Sequence, residues 1–176
     1  MISRDESVLV VVDIQEKFRP HIHEWDVMLG NSIKLIKGLK ILDVPVVVTE
    51  QYPKGLGETV AEIKEVLEFK PVEKTCFSCM GEEGFRKNIS GKKQVILCGI
   101  EAHVCIMQTT LQLLDEGYEV YLVVDAMSSR KKSDKRIALR RATQKGAIPV
   151  STEMVLFELL KDAKNLGFKE IQAIVK

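Results

Sequence analysis

The sequence predicts an α/β fold: a single-domain, Rossmann-like three-layer α/β/α sandwich around a six-stranded parallel sheet of order 3-2-1-4-5-6. Six apolar runs of strand length alternate with longer segments of helical period. Several of those runs are apolar at nearly every position and rich in Val and Ile, as strands covered on both faces of a parallel sheet must be. Short connections between alternating elements favour right-handed crossovers, which put helices on both faces. A length of 176 residues fits one such domain, since single domains run to roughly 100–200 residues.

In chain order, the strands are expected at SVLVVVDI (7–14), VPVVVTE (44–50), FKPVEKT (69–75), KQVILCGI (93–100), YEVYLVVDAM (118–127) and GAIPVST (146–152). Residues 26–42 carry Val27, Leu29, Ile33, Ile36, Leu39 and Ile41 at helical spacing, and 58–68 carry Val60, Ile63, Val66 and Leu67 likewise. Two more helices are expected at 102–116, closed by Gly117, and at 133–145, capped by Ser133 and closed by Gly146. The tail adds 154–163 and 168–174. The basic run RKKSDKR (130–136) reads as a solvated loop and helix start.

Composition narrows the function classes. Lys plus Arg number 26 against 25 for Asp plus Glu, and a net charge of +1 supplies no field for nucleic acid or an anionic membrane. The run VLVVV at 8–12 ends at Asp13, far short of the ~20 apolar residues of a membrane span. MISRDES is not followed by the apolar core of a secretory signal, so a cytoplasmic location is expected, with the four cysteines as reduced thiols. No phosphate loop is legible: Gly55-Leu56-Gly57 lacks the Gly-Lys-Ser/Thr of a P-loop, and no GxGxxG follows the first strand. A small-molecule ligand is therefore expected, with no cofactor.

Open parallel sheets bind ligands outside the carboxyl ends of their strands. Those ends carry Asp13, Glu50-Gln51-Tyr52, Lys74, Gly99-Ile100-Glu101 followed by Cys105, and Asp125. With strands one and four adjacent, Asp13 approaches Cys105, so an acid, an amine and a thiol share one edge. Cys105 is expected in the first turn of a helix, where partial positive charge favours the thiolate and free N–H groups can receive an oxyanion. The plainer alternatives are a small core cysteine, a loop-capping aspartate and a solvated lysine. Cys76 and Cys79 have the spacing of half a zinc site without a second pair. His21 and His23 read as a solvated pair or as pocket residues, and His103 either serves Cys105 as a base or faces away.

The segments LVVVDIQEKF (9–18), TEQYPKGLGET (49–59), EKTCFS (73–78), CGIEAHVCIMQT (98–109) and VVDAMSSR (123–130) together resemble the isochorismatase-like cysteine hydrolases, a family that includes nicotinamidases and carbamoylsarcosine amidohydrolases. The resemblance covers nearly the whole chain, so 1–176 is read as one domain of that kind. It implies Asp13, Lys74 and Cys105 as catalytic residues. It also implies a cis peptide at Ile100–Glu101, and the backbone N–H groups of Glu101 and Cys105 as an oxyanion hole. Nicotinamidases carry Asp-x-His metal ligands after the second strand, where this chain reads Thr49-Glu50-Gln51-Tyr52-Pro53, so no metal is expected. Gln15, Phe18, Gln51, Tyr52 and Phe77 lie beside the motif residues and are the candidate pocket lining. The expected activity is hydrolysis of a small amide through a Cys105 thioester. The alternatives are a catalytically silent module that binds a metabolite or protein, and a thiol redox sensor using Cys105 with Cys76 or Cys79. Family members often form dimers or tetramers, and a homo-oligomer is expected here.

Overall fold

Side chains alternate across a strand, and β1 (Ser7–Val12) uses both faces: Leu9 and Val11 enter one core, Val8, Val10 and Val12 the other. In the computed structural model, which describes residues 1–176, β1 lies between β2 (Val46–Gln51) and β4 (Gln94–Gly99). Beyond them lie β3 (Val72–Lys74) on one side, and β5 (Glu119–Met127) and β6 (Ile148–Val150) on the other. The order is β3-β2-β1-β4-β5-β6 with every pair parallel, as expected.

The first core is covered by α1 (Trp25–Ile41), α7 (Thr152–Leu160) and α8 (Phe168–Val175). The second is covered by α4 (Glu83–Ile89), α5 (Met107–Asp115) and α6 (Lys132–Gln144). Two single-turn helices, α2 (Pro53–Leu56) and α3 (Ala61–Lys64), cross the carboxyl edge. No helix is long and apolar enough to cross a membrane.

Departures from the expected elements have local causes. The helix expected at 58–68 shrinks to α3, because Glu50 Oε1 accepts from both the N–H and the hydroxyl of Thr59, each at 2.7 Å, and holds that residue in a bridge to Gln15. Edge strands β3 and β6 are short, and each has a proline at its margin or within it, Pro71 and Pro149, that cannot donate to a ladder. The segment expected as one helix at 102–116 opens with a π-helical turn, Ala102–Ile106, before α5 begins. Ser133 is not a cap: α6 starts at Lys132 after Lys131, with no side-chain cap bond. The whole of α4 escapes the periodicity reading, since only Phe85 and Ile89 mark its buried face.

Gly99 closes β4 where it meets β1. Its φ is +107°, and a Cβ there would lie 2.1 Å from the Val12 carbonyl oxygen, so only glycine lets the two central strands approach at this point.

Candidate active site

Immediately beyond that approach the chain turns at Asp13, whose φ of +52° is left-handed, a conformation that aspartate tolerates better than most residues. The turn points its carboxylate across β2. Oδ1 accepts from the Thr49 hydroxyl at 2.7 Å and Oδ2 from Lys74 Nζ at 2.8 Å. Both charged side chains are buried, at 0% exposure for Lys74 and 1% for Asp13, so each is the other's compensation for lost water. Lys74 also donates to Gln51 Oε1 at 2.6 Å and to the carbonyls of Phe77 at 3.1 Å and Cys76 at 3.4 Å. Burial opposes the lysine charge, but the charge of Asp13 and its hydrogen bond to Lys74 counter this, and the Lys74 pKa is held above its ordinary value.

Cys105 lies in the π-helical turn, with Sγ 4.0 Å from the same Gln51 oxygen that binds Lys74. Its thiol does not behave as a helix-terminal thiolate. Burial pushes its pKa up strongly, and Asp13 adds to this through its charge and by accepting from the thiol, while the Lys74 charge pulls the other way. Cys79 is likewise raised, to about 11, by burial first and then by Asp13, and Cys98 is raised to about 12 by burial in the opposite core.

Gln51 is held from three sides. Its Nε2 donates to the Thr75 carbonyl at 2.8 Å, which leaves Oε1 for the lysine, and its N–H donates to Gln15 Oε1 at 2.8 Å. Gln15, fully buried, donates in turn to the carbonyls of Gln51 and Gly57 at 3.0 and 2.6 Å. It braces the strand end and does not line the cavity. Tyr52 also lies outside: its own φ of +37° swings the ring outward, where it is 53% exposed.

A cavity of about 670 Å³ opens above Cys105. Gln51, Cys105 and Glu101 are its buried residues, Phe18, Leu56 and Val104 its half-buried wall, and Lys17, His21, Phe77 and Arg130 its exposed mouth. Of the five expected lining residues, Phe18, Gln51 and Phe77 are there. Leu56, Val104, Lys17 and Arg130 were not singled out from sequence, although Arg130 follows the end of β5 on the same edge. The Ile100–Glu101 peptide is cis, and the Glu101 N–H donates to no backbone acceptor in the chain. His103 faces away from the thiol: Nδ1 meets Ser129 Oγ at 3.0 Å and Nε2 lies 3.9 Å from Asp134.

The residues do not fit a metal. Glu50 is committed to Thr59, the remaining positions after β2 are Gln51 and Tyr52, and no three His, Cys, Asp or Glu side chains cluster as ligands.

Residues 7–154 match the isochorismatase domain. Isochorismatase domain-containing protein 2 of Danio rerio is 46% identical over 99% of this chain and 89% of its own length. Among solved structures, the MAR1 ribonuclease of Caenorhabditis elegans superposes with a TM-score of 0.94 at 42% identity, covering 99% of this chain and 91% of that one. YcaC of Pseudomonas aeruginosa, solved with hexane-2,5-diol and covalent acrylamide, gives 0.91 at 26% over 98% and 90%. The pyrazinamidase of Pyrococcus horikoshii, in complex with zinc, gives 0.68 at 26% over 83% and 99%. The parallel sheet of this order, the acid and thiol meeting across its two central strands and the near full-length match agree: this chain belongs to the isochorismatase family.

Proposed function

We propose that this protein hydrolyses a small amide by acyl transfer to Cys105. The observation that carries the reading is the buried Asp13–Lys74 pair, joined through Gln51 Oε1 to the Cys105 thiol, at the base of a cavity large enough for a small molecule. Pyrazinamidase, one of the relatives, is named for amide hydrolysis, and YcaC carries a covalently attached amide. The first supports amide chemistry here; the second, since acrylamide is an electrophile that thiols attack at its alkene carbon, supports a reactive nucleophile in a related fold and not the acyl step itself.

In the proposed cycle Asp13 takes the thiol proton as Sγ attacks the substrate carbonyl carbon, so the thiolate exists only while it reacts. The oxyanion is received by the backbone N–H groups of Glu101 and Cys105. Asp13 then gives its proton to the leaving amine as the C–N bond breaks, leaving a thioester. The same carboxylate next deprotonates a water that attacks the thioester, and the carboxylic acid leaves as the thiol regains its proton. Lys74 keeps its charge throughout and fixes the Asp13 carboxylate between the Thr49 hydroxyl and the thiol. Gln51 aligns Lys74 and the cavity floor; Phe18 and Phe77 provide apolar wall.

The test is incubation with a panel of small primary amides and aldehyde analogues, followed by intact mass spectrometry. An adduct on Cys105 that is absent in Cys105→Ala and weakened in Asp13→Asn is expected. Silence across the panel, with Cys105 no faster than Cys79 toward iodoacetamide, rejects the mechanism and favours a binding module. A second reading has one specific support, the 42% identity to a protein named as a ribonuclease. Cleavage of a single-stranded RNA oligonucleotide that persists in Cys105→Ala would establish it in place of amide hydrolysis.

A further inference from the structure

The charge at the cavity mouth is not balanced, and this deepens the amide-hydrolase reading on which it rests. Lys17, Arg130 and Glu101 are the formally charged side chains of the lining, and the Asp13–Lys74 pair beneath cancels itself. Glu101 is already engaged: its Oε2 accepts from the Arg130 N–H at 3.0 Å and from Arg130 Nε at 3.1 Å. That contact uses one edge of the guanidinium and leaves both Nη groups without a partner in the chain. Lys17 Nζ donates to the Gly55 carbonyl at 2.7 Å, which neutralises none of its charge. The two cations thus share a mouth with His21 and Phe77, one carried by the turn after β1 and the other by the loop after β5. Glu101, itself buried, orients the exposed Arg130 side chain through contacts to both its backbone N–H and its Nε.

An arginine with two free, parallel donors is shaped for the two oxygens of a carboxylate or similar anion. We propose that the substrate carries an anionic substituent, a carboxylate, sulfonate or phosphate, in addition to its amide, and that Arg130 with Lys17 binds it at the cavity mouth. Arg130 is then a specificity-determining residue, and a neutral amide of the same size is a poor substrate.

The experiment reads cavity charge at the thiol itself and needs no turnover. Cys105 is treated with three methanethiosulfonates that differ only in carrying an ethylsulfonate, an ethyl or an ethyltrimethylammonium group, and its modification is followed by intact mass with a small neutral thiol as reference. The sulfonate-to-trimethylammonium rate ratio at Cys105 is expected to exceed that of the reference thiol by about tenfold or more at low salt. The ratio should fall about fivefold or more in Arg130→Gln, less in Lys17→Gln, and should collapse at high salt. Lys17 has no carboxylate partner to leave stranded, so its variant guards against an effect that comes only from unpairing Glu101. A ratio equal to the reference, a preference for the cation, an unchanged ratio in both variants, or a thiol inert to all three reagents overturns the proposal. Anion preference without any acyl adduct on Cys105 would instead leave this site standing and reject amide hydrolysis.

Discussion

Two aspartates end apolar runs on the carboxyl edge of the sheet, Asp13 after Val11-Val12 and Asp125 after Val123-Val124, and only one of them faces a reactive group. Asp13 has left the strand, with its carboxylate between the Thr49 hydroxyl and Lys74 and beside the Cys105 thiol. Asp125 stays within β5, and its Oδ1 accepts from the N–H and hydroxyl of Thr152 at 2.8 and 3.0 Å, which ties the strand to the start of α7. The cation sharing its separate cavity of about 460 Å³ is Lys135, whose pKa burial holds below the ordinary lysine value. Position on the carboxyl edge gives an acid access; its partners decide whether it can move a proton. The sharpest test is to neutralise each. Asp13→Asn, which keeps the left-handed turn accessible, should lower kcat/KM for a substrate amide by about a thousandfold or more, and Asp125→Asn by less than about threefold. Equal losses would break the distinction.

The backbone beneath the two acids differs as well. Asp13 depends on the close approach at Gly99, and nothing comparable underlies Asp125. Gly99→Ala forces a Cβ against the Val12 carbonyl from a φ of +107°, so it should destabilise the fold by on the order of 3 kcal/mol in urea unfolding. A loss below about 1 kcal/mol would show that β1 and β4 can separate without cost and that the site is less constrained than its geometry implies.

Charge coupling separates the two acids through pH. Cys105 and Lys74 both hold their protons more tightly folded than unfolded. Each contribution is therefore complete below the unfolded value, 9.0 for the thiol and 10.5 for the lysine, and is lost as pH rises past it. Stability of the wild type should fall as pH climbs above 9.0, by about 1.4 kcal/mol per pH unit for each such proton. Cys105→Ala should flatten that fall by one proton's share. Asp13→Asn should move the Cys105 thiolate absorbance to lower pH, because it removes a repelling charge, and Asp125→Asn should leave it in place. A Cys105 titration insensitive to Asp13 would mean that burial alone sets it.

Much of this contrast was legible before the structure. The parallel sheet follows from two-sided apolar strands, and, once the order 3-2-1-4-5-6 is taken, the strand ends put Asp13, Lys74 and Cys105 on one edge. The roles of Thr49 and Gln51 in orienting the pair were not legible, because a Thr or Gln at a strand end has no signature of what it hydrogen-bonds. The burial of Cys105 was not legible for a similar reason: helix position is visible in a sequence, whereas burial beside Asp13 is a property of the assembled edge. Arg130 was masked by its neighbours, since RKKSDKR reads as a solvated run until the loop after β5 aims its first residue at Glu101. Helix α4 has two buried apolar residues in seven, too few for its period to show.

The smallest expected effect isolates what Asp125 does. Asp125→Ala removes two hydrogen bonds and leaves the Thr152 N–H, the first in α7, without its acceptor. Ser151 still caps Met154 N–H at 3.2 Å, so the helix start is weakened and not lost. Destabilisation of about 1–2 kcal/mol is expected in urea unfolding, with kcat/KM nearly unchanged. Asp125→Asn retains an Oδ1 acceptor and should recover most of that loss, which separates a hydrogen-bonding role from an electrostatic one. If the charge itself mattered, as is proposed for Asp13, the asparagine variant would be as damaged as the alanine one, and the two acids would not differ in kind.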